Sequence, residues 1–423
     1  MSRRIIGAVM IAVLLLGMTG CNLQGADSNE QEVQEPEEFR VALSLSQGVE
    51  ENFEKGITYT DGKTVATNPK ELQELYNNKG ATEMYVRVAT KRYADGDDGG
   101  DSYHARIHNL ESCLKTCEIA SELGMPINPE IMCAYTYMDG FEQQAPDFCD
   151  YPEIEKPDKP WSEYELEEMC DVLEQYGELV AQEILDTGCE VEYWNIGNEA
   201  NFGFAGVNLG LETAVNPELI KKTSWDMYSL RDNGISYLKE NVWNYNGQLM
   251  SALASGIKKA DPDAQFATHI AALFGEEFAV SYFQTIMENG MHLDQAGISI
   301  YPTNTMSQFH PDYMGEMKDS ILGIEQQCGL PVFIAEYGYP SEKMTGTYVA
   351  WSNAPKGYSL CAEDQAEYTM EFISWCKENG VSGIRPWGPD IMGDWEPMSF
   401  FEYDEKTMTA TAKPVMEVFM QSQ

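Results

Sequence analysis

The amino-acid sequence predicts a (β/α)8 barrel, and three observations predict it. Short apolar runs alternate with longer amphipathic segments from Phe39 onward, which is the rhythm of repeated β/α units. The apolar runs number eight. Two of them end in a glutamate, Glu199 and Glu336, at the strand ends where barrels carry their chemistry.

In chain order the predicted strands fall at residues 40–44, 84–89, 127–133, 191–196, 265–269, 297–301, 332–336 and 383–387. Helical segments lie between them at 70–77, 107–123, 163–187, 248–260, 277–289 and 362–379. Gly124, Gly188, Gly290 and Gly380 follow such segments, where a helix C-terminus turns left-handed. Alternation alone also fits an open doubly wound sheet. The count of eight favours the barrel, and no Gly-rich dinucleotide fingerprint or P-loop pattern points to the sheet.

Ahead of the barrel, Arg3 and Arg4 precede an apolar run over 5–18 that is too short to span a bilayer as a stable helix. Met18-Thr19-Gly20-Cys21 follows and looks like a bacterial lipobox. Residues 1–20 are therefore read as a lipoprotein signal peptide and Cys21 as the lipidated N-terminus of the mature chain, with an ordinary signal peptide as the alternative. Residues 21–38 are acidic and poor in large apolar side chains, the composition of a tether, and 39–423 form the barrel domain. The expected location is the outer cell surface, lipid-anchored, with the membrane touched only through the lipid. The expected state is a monomer.

A formal net charge of −42 argues against nucleic acid and anionic membrane as partners, whereas a neutral polysaccharide suffers no repulsion. The chain has 10 cysteines and no CxxC pair. Cys113 and Cys117, four apart on a helical segment, read as buried thiols.

The stretch from Val191 through Trp194, Ile196 and Gly197 to Asn198 and Glu199 sets a carboxylate at the mouth of strand four. The run from Pro331 through Ile334 to Glu336 sets another at the mouth of strand seven. Hydrolysis of a glycosidic bond needs such a pair, one acid to protonate the leaving oxygen and one carboxylate to attack the anomeric carbon. The two motifs resemble those of the clan A retaining glycosidases. Within that clan the sequence is similar to glycoside hydrolase family 53, the arabinogalactan endo-β-1,4-galactanases. Ile196-Gly197-Asn198-Glu199 resembles its strand-four motif, and Leu253 to Lys258 its Asn-Ala-Gly-Ile-Lys helix. His269-Ile270-Ala271, Gly297 to Pro302 and Glu336 to Pro340 match its strands five, six and seven. The sequence departs at strand three, where Glu130 to Asp139 replace a histidine-containing motif, and at strand eight, where Trp387-Gly388-Pro389 stands for Trp-Glu-Pro.

The resemblance implies Glu199 as acid/base and Glu336 as nucleophile. Arg87, ending strand two, is placed to hold Glu336 ionised, and Asn198 to donate to the sugar 2-hydroxyl. Tyr301 is placed to bond the nucleophile, Trp387 to offer a flat face to a sugar ring, and His269 to contact substrate or to serve as a core histidine. Among the rival motifs, His104 and His108 have the i, i+4 spacing of a zinc pair but lack the intervening glutamate, and no metal is assigned there. The loop at 95–101, with Asp95, Asp97, Asp98 and Asp101, has donors that suit calcium and equally reads as a solvated acidic loop. No Gly-x-Ser-x-Gly elbow occurs. The reading is a retaining endo-glycosidase that needs no cofactor and acts on β-linked plant polysaccharide, with β-1,4-galactan or arabinogalactan first. The alternatives are another clan A activity (mannanase, xylanase or β-glucanase) and a surface lipoprotein that binds glycan without cleaving it.

Overall fold

The computed structural model describes residues 39–140, 143–271, 275–310 and 312–422. The predicted leader, Cys21 and the tether lie outside the described residues.

Eight parallel strands form the barrel: β1 (Arg40–Val41), β2 (Met84–Val88), β3 (Pro126–Ile131), β4 (Trp194–Ile196), β5 (Phe266–Ala271), β6 (Gln295–Ile300), β7 (Val332–Tyr337) and β8 (Gly383–Pro386). Hydrogen-bonded neighbours run β1-β8-β7-β6-β5-β4-β3-β2. The seam between β1 and β2 closes differently. Thr82 N donates to Val41 O at 2.9 Å, after which side chains take over from the backbone. Ser44 Oγ accepts from Tyr85 N and donates to Tyr85 O, both at 3.1 Å, and the Gln47 amide spans Arg87 N and O at 2.9 and 2.8 Å. This substitution is why β1 stops at Val41, short of the predicted 44.

Other boundaries differ from the sequence prediction for similarly local reasons. The fourth apolar run divides into Glu190–Val191 and β4 because Tyr193 N turns to the Asn128 side chain at 2.9 Å. The helix predicted from 107 begins at Leu110, with Asn109 accepting from Ser112 N, and a separate helix, Ser102–Ile107, is capped by Asp101. The helix Tyr313–Cys328, between β6 and β7, was not among the predicted segments. Its internal Gly315 and Gly323 lower helix propensity, and Gly323 is kept small by packing, since a Cβ there would lie 2.4 Å from Glu276 Cγ.

Along β2, Met84, Val86 and Val88 join the main apolar core, while Tyr85 and Arg87 face the lumen, the period-two alternation of a strand. The lumen floor is polar and buried, holding Arg87, Glu130, His269, Glu336 and Arg385. Outside the ring, helices Leu166–Leu185 and Asn244–Ala260 approach backbone to backbone: a Cβ on Gly256 would lie 1.9 Å from Glu174 O, and one on Gly177 2.3 Å from Leu253 O. The glycine of the 253–258 motif is thus a packing requirement. The strands Thr58–Thr60, Val65–Ala66, Phe401–Asp404 and Thr409–Ala412 form a second, four-stranded sheet.

Candidate active site

β4 delivers Glu199 through a strained turn. Glu199 sits at φ 44°, ψ 47°, the left-handed region that side chains other than glycine avoid. Two contacts hold it: its N–H donates to His269 Nε2 at 3.2 Å, and its Oε2 accepts from Gly140 N at 3.1 Å. A Cβ at Gly140 would lie 2.7 Å from that same Oε2, so the approach requires glycine.

β7 delivers Glu336 through a bulge. Ile298 pairs with Ile334 but Ser299 pairs with Glu336, leaving Ala335 as the extra residue. A bulge turns the following side chain, and here it points Glu336 into the barrel mouth. There Oε2 accepts from Tyr301 OH at 2.6 Å and Oε1 from Arg87 Nη2. Arg87 also reaches Asn198 Oδ1 at 2.7 Å, Glu130 Oε1 at 2.8 Å and Tyr85 OH at 2.8 Å. Its guanidinium lies 3.8 Å from the centroid of the Trp387 ring. Asn198 Nδ2 donates to Met138 O at 2.6 Å, which fixes the amide with one further hydrogen to give.

The two carboxyls sit in different fields. Burial raises both above the ordinary carboxylate range. At Glu336, Arg87 and the Tyr301 hydroxyl oppose burial. At Glu199 the negative charges of Glu336 and Asp139 add to it, against a weaker pull from Arg87. A shared proton therefore resides on Glu199 and the charge on Glu336, the division that separates acid from nucleophile.

The pair opens into a cleft of about 800 Å³ whose walls include Asn198, Trp225, Phe309, Trp351 and Trp387. Beyond Trp387 lies a second hollow of about 250 Å³ that shares Tyr137, Tyr348, Trp387 and Trp395 with the first. The structure thus brings Arg87, Asn198, Glu199, Tyr301, Glu336 and Trp387 together. His269 stands apart. It is buried and bonded to the Glu199 backbone, outside the residues that line the cleft, the core position that the sequence reading held open beside a substrate contact.

Sequence reasoning missed Glu130, Gly140, Tyr137 and Trp395. Glu130 carried a signal, a single acid inside an apolar strand; Gly140 and Trp395 carried none. The hollow left by Gly388 is filled by Trp395, since a Cβ there would lie 2.7 Å from Trp395 Nε1. His104 and His108 stack on one another with ring centroids 5.3 Å apart, and His104 lies flat on Tyr137 at 3.8 Å, which explains their spacing by packing. In the loop at 95–101 the donors serve the backbone. Asp97 accepts from Gly99 N and Asp98 from Gly100 N, and Asp101 caps its helix and pairs with His104. Among the described residues no group of three His, Cys, Asp or Glu side chains is placed to hold a metal ion. Cys113 and Cys117 are buried free thiols.

Comparison with known proteins agrees with this geometry. The family model for glycosyl hydrolase family 53 matches residues 45–419. The catalytic domain of an Ignisphaera aggregans family 53 protein superposes with a TM-score of 0.67 at 16% identity, covering 92% of this chain and 97% of that one. A fungal β-1,4-galactanase superposes with a TM-score of 0.64 at 16% identity, covering 91% and 99%. At that identity the superpositions speak for the barrel fold. No curated protein matches in sequence. The family match spans β2 to β8, both glutamate-bearing strands among them, and the chain belongs to glycosyl hydrolase family 53.

Proposed function

We propose that the protein is a retaining endo-β-1,4-galactanase with Glu336 as nucleophile and Glu199 as acid/base. The observation that carries this reading is the pair of buried glutamates at the ends of β4 and β7, held in opposite electrostatic settings over one cleft. In the first step a Glu336 oxygen bonds to the anomeric carbon as the glycosidic bond breaks. The bonding pair leaves with the aglycone oxygen, which takes the Glu199 proton. In the second, Glu199, now a carboxylate, takes a proton from water while the water oxygen bonds to the anomeric carbon and frees Glu336. The Asn198 amide grips the 2-hydroxyl and Trp387 carries the ring. Endo action is supported by the continuation of the groove on both sides of Trp387.

The substrate follows from the family and from the fungal relative described as a β-1,4-galactanase. One observation favours a second reading, another β-linked polysaccharide: Trp395 fills the space over Gly388 where the family resemblance places a glutamate. Purified protein incubated with β-1,4-galactan, arabinogalactan, mannan, xylan and β-glucan decides between them. Galactan is expected to be cut fastest into oligosaccharides, with the β-anomer appearing first by proton NMR. Preferential cleavage of mannan or xylan, or α-anomer first, overturns the reading. We also infer export as a surface lipoprotein, from the motif ending at Cys21. Palmitate labelling in a bacterial host that is lost in Cys21→Ser tests it.

A further inference from the structure

We propose that Glu130 is a positioning residue for both catalytic glutamates, holding the nucleophile through Arg87 and the acid/base through His269 while balancing the charge of two buried guanidiniums. The proposal rests on the roles given to Glu199 and Glu336 above.

Glu130 is fully buried on β3 and makes two sets of contacts. Its Oε1 accepts from Arg87 Nε at 2.8 Å, and the same guanidinium binds Glu336 and Asn198. Its Oε2 faces His269 Nδ1 at 3.5 Å and Arg385 Nη1 at 3.6 Å. His269 Nε2 accepts from the Glu199 N–H, which puts the ring proton on Nδ1, the nitrogen that lies 3.5 Å from Glu130 Oε2 with no hydrogen bond between them. Burial and the two arginines hold His269 well below the ordinary histidine range, so the ring is neutral and this tautomer persists. Glu199 is one of four non-glycine residues at positive φ among the described residues, and the bond from its N–H to His269 helps to hold that strained turn in place.

The charges close as well. On the lumen floor, Arg87 and Arg385 face Glu130 and Glu336, two positive against two negative, with Glu199 protonated. When Glu336 becomes an ester and Glu199 loses its proton, a negative charge leaves one and appears on the other, and the balance is unchanged. Without Glu130 both states carry an excess positive charge, which makes Glu199 a stronger acid and a weaker base. The groups facing Glu130 are Arg87 from β2, His269 from β5 and Arg385 from β8, with Tyr85 beside them, its ring 3.6 Å from the Arg385 guanidinium. Those facing Glu199 are Glu336, Arg87, Asp139 and Ser299, and the phenols of Tyr228, Tyr301 and Tyr313.

The experiment is a pH profile of kcat/KM on the cleaved polymer for four variants, each checked for folding by circular dichroism. Glu130→Gln is expected to move the basic limb down by about one pH unit and to lower kcat more than it changes KM. Glu130→Asp keeps the charge and is expected to keep the wild-type limb. Arg385→Met is expected to move the limb upward, and the doubly substituted Glu130→Gln/Arg385→Met, neutral again, to return it toward wild type. Unmoved limbs in Glu130→Gln, or a double variant that only adds the losses of the singles, overturn the proposal. Should Glu130→Gln fail to fold, Arg385→Met and the neutral double variant carry the same sign test. Failure of the parent reading looks different: azide would rescue Glu336→Ala with net retention, whatever the limbs do.

Discussion

Tyr301→Phe removes one hydroxyl from the site and nothing else. The ring is packed against Trp351 and Trp395, with centroids 5.0 and 6.0 Å away, so phenylalanine keeps the fit. The hydroxyl donates to Glu336 Oε2 at 2.6 Å; burial and the Glu336 charge hold the phenol well above its ordinary range, so it stays a neutral donor across any working pH. A hydrogen bond to a charged group contributes about 1.5 to 3 kcal/mol, and one pKa unit corresponds to about 1.4 kcal/mol. The bond favours the ionised carboxylate, hence its loss raises the pKa of Glu336 by about one to two units. The nucleophile must be ionised in the free enzyme, so the acid limb of kcat/KM moves toward neutral pH by that amount while the basic limb, governed by Glu199, moves less. Profiles on an aryl β-galactoside and on polymer measure both. A lowered plateau with an unmoved acid limb would refute the assignment of this hydroxyl to the charged form of Glu336.

Azide is expected to restore turnover of an activated aryl glycoside by Glu199→Ala and to give the β-glycosyl azide, because a dinitrophenyl leaving group needs little protonation and azide needs no base. The α-azide from Glu336→Ala is compatible with the assignment; the β-azide from Glu336→Ala, or no rescue of Glu199→Ala, is not. Gly140→Ala would set a methyl 2.7 Å from Glu199 Oε2 and 2.9 Å from the Phe202 ring; it is expected to cost about 1 to 3 kcal/mol and to lower kcat on polymer, and a wild-type rate would show that the acid does not need this amide. Gly256→Ala, with its methyl 1.9 Å from Glu174 O, is expected to lower the melting temperature by several degrees while leaving cold activity near wild type; an unchanged melting temperature counts against the close helix contact. EDTA is expected to leave the melting temperature unchanged, and a drop restored by calcium would reinstate the loop at 95–101 as an ion site.

The barrel was legible in the sequence because its strands are buried on both faces and read as apolar runs with few interruptions. What escaped is where side chains take over from backbone. Nothing in the run from Arg40 to Gln47 announces that Ser44 and Gln47 will bond the neighbouring strand in place of a ladder. The break before Trp194 depends on Asn128, which lies 65 residues from the Tyr193 amide it accepts from. Such partners are distant in the chain, and a local pattern carries no record of them.

The site divides along the same line. Glu199 and Glu336 could be read because each ends an apolar run, a contrast visible in one segment. Of the residues that set their states, Arg87 and Tyr301 could be proposed from their strand-end positions, while Glu130 and Arg385 are legible only as contacts. Arg87 and Glu130 lie on β2 and β3, Arg385 on β8, and each is an unusual charge inside an apolar strand. A charge in such a place is costly to bury unless paired, so each of the three requires a partner, although the sequence does not say which. In the structure Arg87 pairs with Glu130 and Glu336 and Arg385 faces Glu130, whereas Glu199 stands among the negative charges of Glu336 and Asp139 with only a weaker pull from Arg87. Its high proton affinity follows from burial and from that shortage of counter-charge, and this separates the acid from the nucleophile.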